Sequence, residues 1–423
     1  MKDVALFNQR IKNIVDTCEH KEPEKVPVGL DYINWPWAMA GTTLEAEVND
    51  PVQCAEKYCT FMNEIDIDFS MNAGNYETFD AFAALGSDKY PLCADRCTTQ
   101  HNQVGYEFIS DEEYQFLIDE FHYFKNEYWP KRNIPVFQKP EEEAYAMLKE
   151  AAKCVRNNTI FKELITEIAI RDYSIVPFDS AGASAMAALK ARGEFDQGEV
   201  NERLIYDDFP GGFFISNLDV LFDSYRGMMG IFEDLIEQPE MITAAIEAMD
   251  RDQAEEFKKM PPRPKKPMHA LPPATNIYNV QCFLSPSQFD EYFFSGIKPK
   301  LTALAEQGKK IYLKGEGKIK HLLPFLKELP KESLIIQIDD DDIFEMKKLI
   351  GDYHSICCGM DSALYAIGDY QRCIDYVKKS FDELAPGGGF LFYQNKPLFS
   401  PSDADPQLVK DVMAFAHEYA VKK

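Results

Sequence analysis

The sequence predicts an α/β fold: a single TIM (β/α)8 barrel over residues 1–423, with an inserted α-rich segment over its mouth at 88–208. Three observations predict it. The second half repeats one plan of strand, polar loop, helix and next strand, most clearly around Lys310-Ile-Tyr-Leu-Lys-Gly-Glu-Gly317. The strands are too uniformly apolar to leave one face in water, which is the pattern of parallel strands covered by helices. Polar residues gather just after the strands, where folds of this kind carry their chemistry.

In chain order, residues 5–19 read as a helix, and the charged turn 21–25 delivers the chain into a first strand at 26–31. Its exit, Asp31-Tyr-Ile-Asn-Trp-Pro-Trp37, sets Asp31, Tyr32, Asn34, Trp35 and Trp37 in one loop. A carboxylate, an amide and two indoles suit a flat ligand, and they equally suit a helix cap beside an aromatic cluster. A helix at 51–63 leads to a second strand at 65–72, with Asn72 at its end and Tyr76 beyond. The stretch 88–208 has helical patterns and few clear strands; Ser174-Ile-Val-Pro-Phe-Asp179 reads as an inserted strand or a loop. Six further strands are expected at 211–216, 276–282, 310–315, 334–339, 355–359 and 389–395, for a total of eight. Between them, Ser285-Pro-Ser-Gln288 has the form of a helix start, with a capping Ser, Pro at the first position and a Gln to close the box.

The composition excludes some functions. Forty-five basic residues against seventy acidic ones give a formal charge of −25. Nucleic acid is therefore not an expected partner, because phosphate binding needs a basic face. No apolar run is long enough to span a bilayer, and the start Met1-Lys-Asp-Val-Ala has no apolar signal core. Ten cysteines without a disulfide rhythm fit a cytoplasmic protein with reduced thiols.

Candidate catalytic groups cluster at strand ends. Glu316, in the Gly-Glu-Gly turn, is the leading acid or metal ligand, and Lys314 on the same strand is placed to bind a developing oxyanion. An ordinary Lys–Glu surface pair is the competing reading. Asp339 closes the sixth strand as a second carboxylate, while Asp340, Asp341 and Asp342 are expected to cap the next helix. Gln281, Gln394 and Asn395 are candidate substrate-orienting amides, and Phe214 and Tyr76 join the aromatic wall. Cys357 and Cys358 alternate faces, so one at most points inward. Cys282, Glu316, Asp339 and Cys358 are the candidates for a non-standard metal site. Cys93, Cys97 and His101 fall at four-residue steps, but Asp95, Thr98 and Thr99 weaken a helix there, and chance spacing is the preferred reading. His354 is expected on a surface loop.

The C-terminal half, roughly 205–421, resembles the uroporphyrinogen decarboxylase superfamily. The shared order is a Ser-Pro-capped helix, a strand ending in a glycine turn, a strand ending in Asp, then helix, Gly, helix and Pro386-Gly-Gly-Gly-Phe390 before a last strand. The resemblance implies a single TIM barrel and one of two chemistries. The first is cofactor-free decarboxylation, which relies on arginines after the first strand; here that loop has none. The second is methyl transfer to or from a corrinoid (cobalamin) carried on a partner protein. Its coenzyme M branch uses a zinc-thiolate site, but the matching positions here read Tyr312 and Lys314, and the last strand ends Tyr393-Gln-Asn395. The resemblance thus implies the donor-side methyltransferase of an O-demethylation system, taking methyl from a small donor, by preference a methoxylated aromatic, to cobalt(I). Decarboxylation of a small substrate and a non-catalytic ligand- or corrinoid-binding barrel are the alternatives. Zinc and a homodimer stay open.

Overall fold

Parallel strands dominate the sheet pairings. The computed structural model describes residues 1–70, 79–87, 108–178, 180–194, 213–259 and 268–421. Its strands are β1 (Phe69–Ser70), β2 (Val176–Pro177), β3 (Phe213–Ile215), β4 (Ala274–Tyr278), β5 (Ile311–Gly315), β6 (Leu334–Gln337), β7 (Ser355–Met360) and β8 (Phe390–Gln394). β3 to β8 form one parallel sheet in chain order, and β1 pairs parallel with β2. Residues 27–29 join the two sheets. The Gly29 N–H donates to the Phe392 carbonyl at 2.9 Å, and the Asp68 N–H donates to the Val28 carbonyl at 2.7 Å. Among the described residues, no pairing links β2 to β3.

The sheet is strongly curled. The Gln337 side chain on β6 reaches Asp31 and the carbonyls of Gln394 and Asn395, although β7 and β8 intervene between β6 and the bridging segment 27–29 that precedes Asp31. In a flat sheet three strand spacings amount to ~14 Å. The curl creates an inner and an outer face, and each strand alternates between them. Phe69, Val176, Phe178, Tyr312, Ile335, Cys357, Leu391 and Tyr393 share the inner cluster with Phe7, Ile11 and Ile14 of the N-terminal helix Val4–Cys18. Leu313, Ile336, Cys358, Phe390 and Phe392 point outward into the larger helix-covered cluster. Gly29 is required at its place, because a Cβ there would stand 2.6 Å from the Phe69 ring.

Most of the expected elements occur within a residue or two of their expected bounds. Ser285 and Gln288 form the reciprocal capping box, at the start of helical turns that continue to Glu306. Within 174–179, read as an inserted strand or a loop, Val176–Pro177 forms a parallel strand. Three expectations need correcting. Among the described residues the stretch 26–31 makes isolated parallel bridges, at Val28 and Gly29, with another at Tyr32, instead of a continuous strand. The strand expected at 65–72 is Phe69–Ser70 among the described residues. The strand expected at 276–282 runs from Ala274 to Tyr278, and Val280–Phe283 forms a 3-10 turn instead. Within 88–208 the long helix Glu141–Tyr173 leads directly into β2. Asn72, Tyr76, Cys93, Cys97 and His101 lie outside the described residues. Among the described residues, no helix is long and apolar enough to cross a membrane.

Trp35 and Trp37, expected near a ligand, are core residues. Both indoles are fully buried; Trp35 Nε1–H donates to the Ala404 carbonyl at 3.0 Å and Trp37 Nε1–H to Glu47 Oε2 at 2.9 Å. An indole with its N–H paired is at home in a core. Asn34, between them and the first strand, is buried too.

Burial pushes the Glu47 carboxyl up to about 8, against the pull of its bonds from Asn158 and Trp37. A carboxyl raised above its unfolded value stabilises the fold fully below the unfolded pKa, and that contribution is lost as pH rises through the folded value. Glu47→Gln is therefore expected to flatten the decline of thermal stability between pH 5 and 8. Parallel melting curves across that range check this; equal slopes in variant and wild type would contradict it.

Candidate active site

The strands deliver their inner-face residues to one polar layer. Register pairs Ile277 on β4 with Lys314 on β5, and Lys314 with Gln337 on β6, so all three share the inner face. Gln337 is the hub. Its Oε1 accepts from the Tyr312 hydroxyl at 2.6 Å, and its Nε2 donates to Asp31 Oδ2 at 3.0 Å, the Gln394 carbonyl at 3.1 Å and the Asn395 carbonyl at 3.2 Å. Gln337, Asp31 and Tyr393 are buried. Burial holds the Tyr393 phenol far above its ordinary pKa, with the Asp31 carboxylate adding to it. Lys314 is different. It is only half-buried, and among the described residues it makes no hydrogen bond or ion pair.

Beyond Lys314 the chain turns through Gly315-Glu316-Gly317, and the surrounding loops hold that turn rigidly. The Glu316 N–H donates to the Tyr278 carbonyl at 3.0 Å, and Gln281 Nε2 donates to the Glu316 carbonyl at 2.6 Å. Asp339 Oδ2 accepts from the Gly317 N–H at 2.7 Å. Gly317 has φ +72°, the left-handed conformation that favours glycine, and a Cβ there would crowd Cys282 Sγ at 3.3 Å. Glu316 itself is exposed at the rim.

The acidic run after β6 divides its work. Lys396 Nζ lies 3.3 Å from Asp339 Oδ1 and 3.0 Å from Asp340 Oδ1. Burial raises the Asp339 carboxyl above the usual range, opposed by the Gly317 N–H and Lys396. Asp341 accepts from the Ile319 and Lys320 N–H groups at 2.7 and 3.0 Å. Asp342 alone caps the helix Ile343–Ile350, a narrower role for the run than expected. A cleft of about 590 Å³ opens over the ends of β6, β7 and β8, bordered by Asp339, Asp340, Gly359, Tyr376, Asn395 and Lys396. Its size is that of a small-molecule site.

The loop after β4 is held from below by Asp219, which sequence reasoning missed. Its buried carboxylate accepts from the Asn279 and Val280 N–H groups at 3.1 and 2.9 Å and from the Ser216 hydroxyl at 3.0 Å. Burial pushes this carboxyl up to about 7. Asp219→Ala orphans the two backbone donors, and a loss of ~2–4 kcal/mol is expected. Urea denaturation checks it; an unchanged midpoint would show that the loop is held otherwise.

Several sequence candidates are placed elsewhere. Phe214 packs against the outer cluster, because Ile215 takes the inner position opposite Ile277. Tyr32 belongs to the outer cluster as well, and its hydroxyl lies 3.1 Å from Ser70 Oγ. Cys358 points outward and Cys357 inward, so Cys358 cannot join Cys282, Glu316 and Asp339. The Gln394 amide is occupied by the Asp31 backbone, with Oε1 accepting from its N–H at 2.7 Å. Asn395 Oδ1 accepts from the Ser362 N–H and hydroxyl, which makes it a tie between loops. His354 is buried rather than on a surface loop, with Nε2 at 2.9 Å from the Leu326 carbonyl.

The donor set does not fit zinc. At the positions that carry the zinc ligands in the coenzyme M branch, the structure has a tyrosine hydroxyl committed to Gln337 and a lysine ammonium, which a divalent cation would repel. Burial, with Glu316 nearby, raises the Cys282 thiol above its ordinary value. Among the described residues the cluster with metal-ligand spacing is His122, Asp252 and Glu256, and Lys125 Nζ already lies 2.6 and 2.8 Å from its two carboxylates.

No protein-family model matches this sequence, and no curated protein matches it. Among solved structures, a methyltransferase from Methanosarcina mazei superposes with a TM-score of 0.53, over 97% of this chain and 98% of that one, at 12% identity. At that identity the likeness is one of fold.

Proposed function

We propose that this chain is the donor-side methyltransferase of a corrinoid-dependent demethylation system. It takes a methyl group from a small methylated donor, by preference a methyl ether, to the cobalt of a corrinoid on a partner protein. The observation that carries the reading is a cation, Lys314, without a partner among the described residues, on the inner face just below a turn, held by hydrogen bonds, that presents Glu316 to solvent. The fold shared with a methyltransferase supports it.

A corrinoid on the partner protein would supply a cobalt(I) nucleophile to accept the methyl group. As the methyl–oxygen bond breaks, its electrons stay on oxygen, and the difficulty of the reaction lies with that leaving group. Glu316 delivers a proton to the leaving oxygen, and Lys314 supplies the positive charge of the site. Asp339 acts on the reaction through the Gly317 N–H, as a positioning residue. The first-strand exit has no arginine, and the carboxylate of Asp31 faces Gln337, so nothing there grips a polycarboxylate and decarboxylation is not favoured.

The test is product analysis. With reduced corrinoid present, chromatography is expected to show the demethylated donor accumulating; without the corrinoid, none. Carbon dioxide release from a carboxylate substrate in place of demethylation would overturn the proposal.

A further inference from the structure

The Glu316 turn is tied to the loop after β4, and that loop is tied to the segment after β3. The Glu316 N–H and carbonyl bond Tyr278 and Gln281, and a Cβ at Gly317 would stand 3.2 Å from the Cys282 Cβ, so the turn lies directly on this loop. The loop is moored in its turn by residues that follow β3. Asp219 Oδ1 accepts from the Asn279 and Val280 N–H groups, and Asp223 Oδ2 accepts from Asn279 Nδ2 at 2.7 Å. At the far end the Phe283 ring meets Phe222 and Phe232, with centroids 6.3 and 5.3 Å apart. Of these moorings, the Asp219 bonds grip the backbone, and they do so immediately before Gln281. Asp223 and the phenylalanines hold side chains, and Phe283 is more than half exposed. Asp219 itself is fully buried in the short helix Asn217–Val220, out of reach of a substrate.

We propose that Asp219 is a positioning residue for Glu316: by fixing the backbone at Asn279 and Val280 it sets Gln281, and Gln281 sets the turn that carries the acid. This rests on the methyltransferase reading and adds a residue to its site. The link matters because a catalytic group displaced by about 1 Å can cost about 100-fold in rate.

Hydrogen exchange followed by mass spectrometry on the full chain, without donor or corrinoid, tests the coupling apart from the reaction. Asp219→Ala is expected to speed exchange in 279–283 and also in 315–319, a segment to which Asp219 makes no hydrogen bond. Gln281→Leu is expected to speed exchange in 315–319 alone. Methyl transfer then tests the role. Asp219→Ala is expected to lower kcat about 10- to 100-fold while the donor KM changes less than about threefold, because the acid moves and the donor contacts stay. Asp219→Asn keeps an oxygen for both N–H groups and is expected to restore most of the rate. The double variant Asp219→Ala, Gln281→Leu is expected to lose no more than the more damaging single variant, since both act along one line. If the alanine variant does not fold, Asp219→Ser carries the same tests. Unaltered exchange in 315–319, an effect on KM in place of kcat, or additive losses in the double variant would overturn the inference. Coupled exchange in a chain whose wild type transfers no methyl group would support the assignment of Asp219 and sink the transferase reading; transfer with uncoupled exchange would do the reverse.

Discussion

Glu316→Gln is expected to lower methyl transfer by about 100- to 10,000-fold, the range for loss of a positioned general acid. Its melting temperature is expected to stay within about a degree of wild type, because the side chain is exposed and the turn beneath it is held by backbone groups. The glutamine keeps the size and polarity of the residue and loses only the ionisable proton. Single-turnover rates with a methyl ether, and again with a donor whose leaving group needs no proton, form the check. A quaternary methylammonium leaves as a neutral amine, so the variant should transfer from it at near the wild-type rate if it binds. Equal losses with both donors would mean that Glu316 acts on binding or position, and an unchanged rate with the ether would remove it from the mechanism.

Gln337→Leu is expected to give the largest loss of stability among single substitutions at the site, ~3–5 kcal/mol. The leucine is close in size, but it removes every hydrogen bond that the Gln337 amide makes, to the Tyr312 hydroxyl, the Asp31 carboxylate and the carbonyls of Gln394 and Asn395, in a buried layer. These groups lie on β5, at the end of the first strand and at the end of β8, so the hub ties distant parts of the curled sheet together. Urea denaturation checks it, and a loss below ~1 kcal/mol would mean that water replaces the amide. Gln337→Glu separates charge from shape: a second carboxylate beside Asp31 is expected to destabilise more at pH 8 than at pH 5.

The strands were legible because apolar runs of four to six residues, bounded by turns, leave few other readings, and the capping box at Ser285 was legible because its chemistry is local. Lys314, Glu316 and Asp339 were found at strand ends for the same reason. What the sequence hid depends on contacts between distant segments. Trp35 is buried because Ala404 offers it an acceptor 369 residues away. Phe214 and Cys358 were misplaced by strand parity, since a shift of one residue exchanges the two faces. Gln337 went unremarked inside Leu334-Ile-Ile-Gln-Ile338, although a lone amide in an apolar strand is itself a signal: buried, it must find several partners. Asp219 has a local signal, since Ser216-Asn-Leu-Asp219 has the spacing of a helix-start box, but its bonds to the loop 60 residues further on leave no trace in the sequence.

The most direct test of the central claim is the cobalt spectrum itself. The chain is mixed anaerobically with reduced corrinoid, free or bound to a corrinoid protein, and a panel of methyl ethers, and the absorbance is followed. Loss of the cobalt(I) band with matching growth of methylcobalt(III), dependent on the chain and abolished in Glu316→Gln, is the predicted result. An unchanged cobalt(I) spectrum with methyl ethers, methylamines and methyl thioethers alike would contradict it.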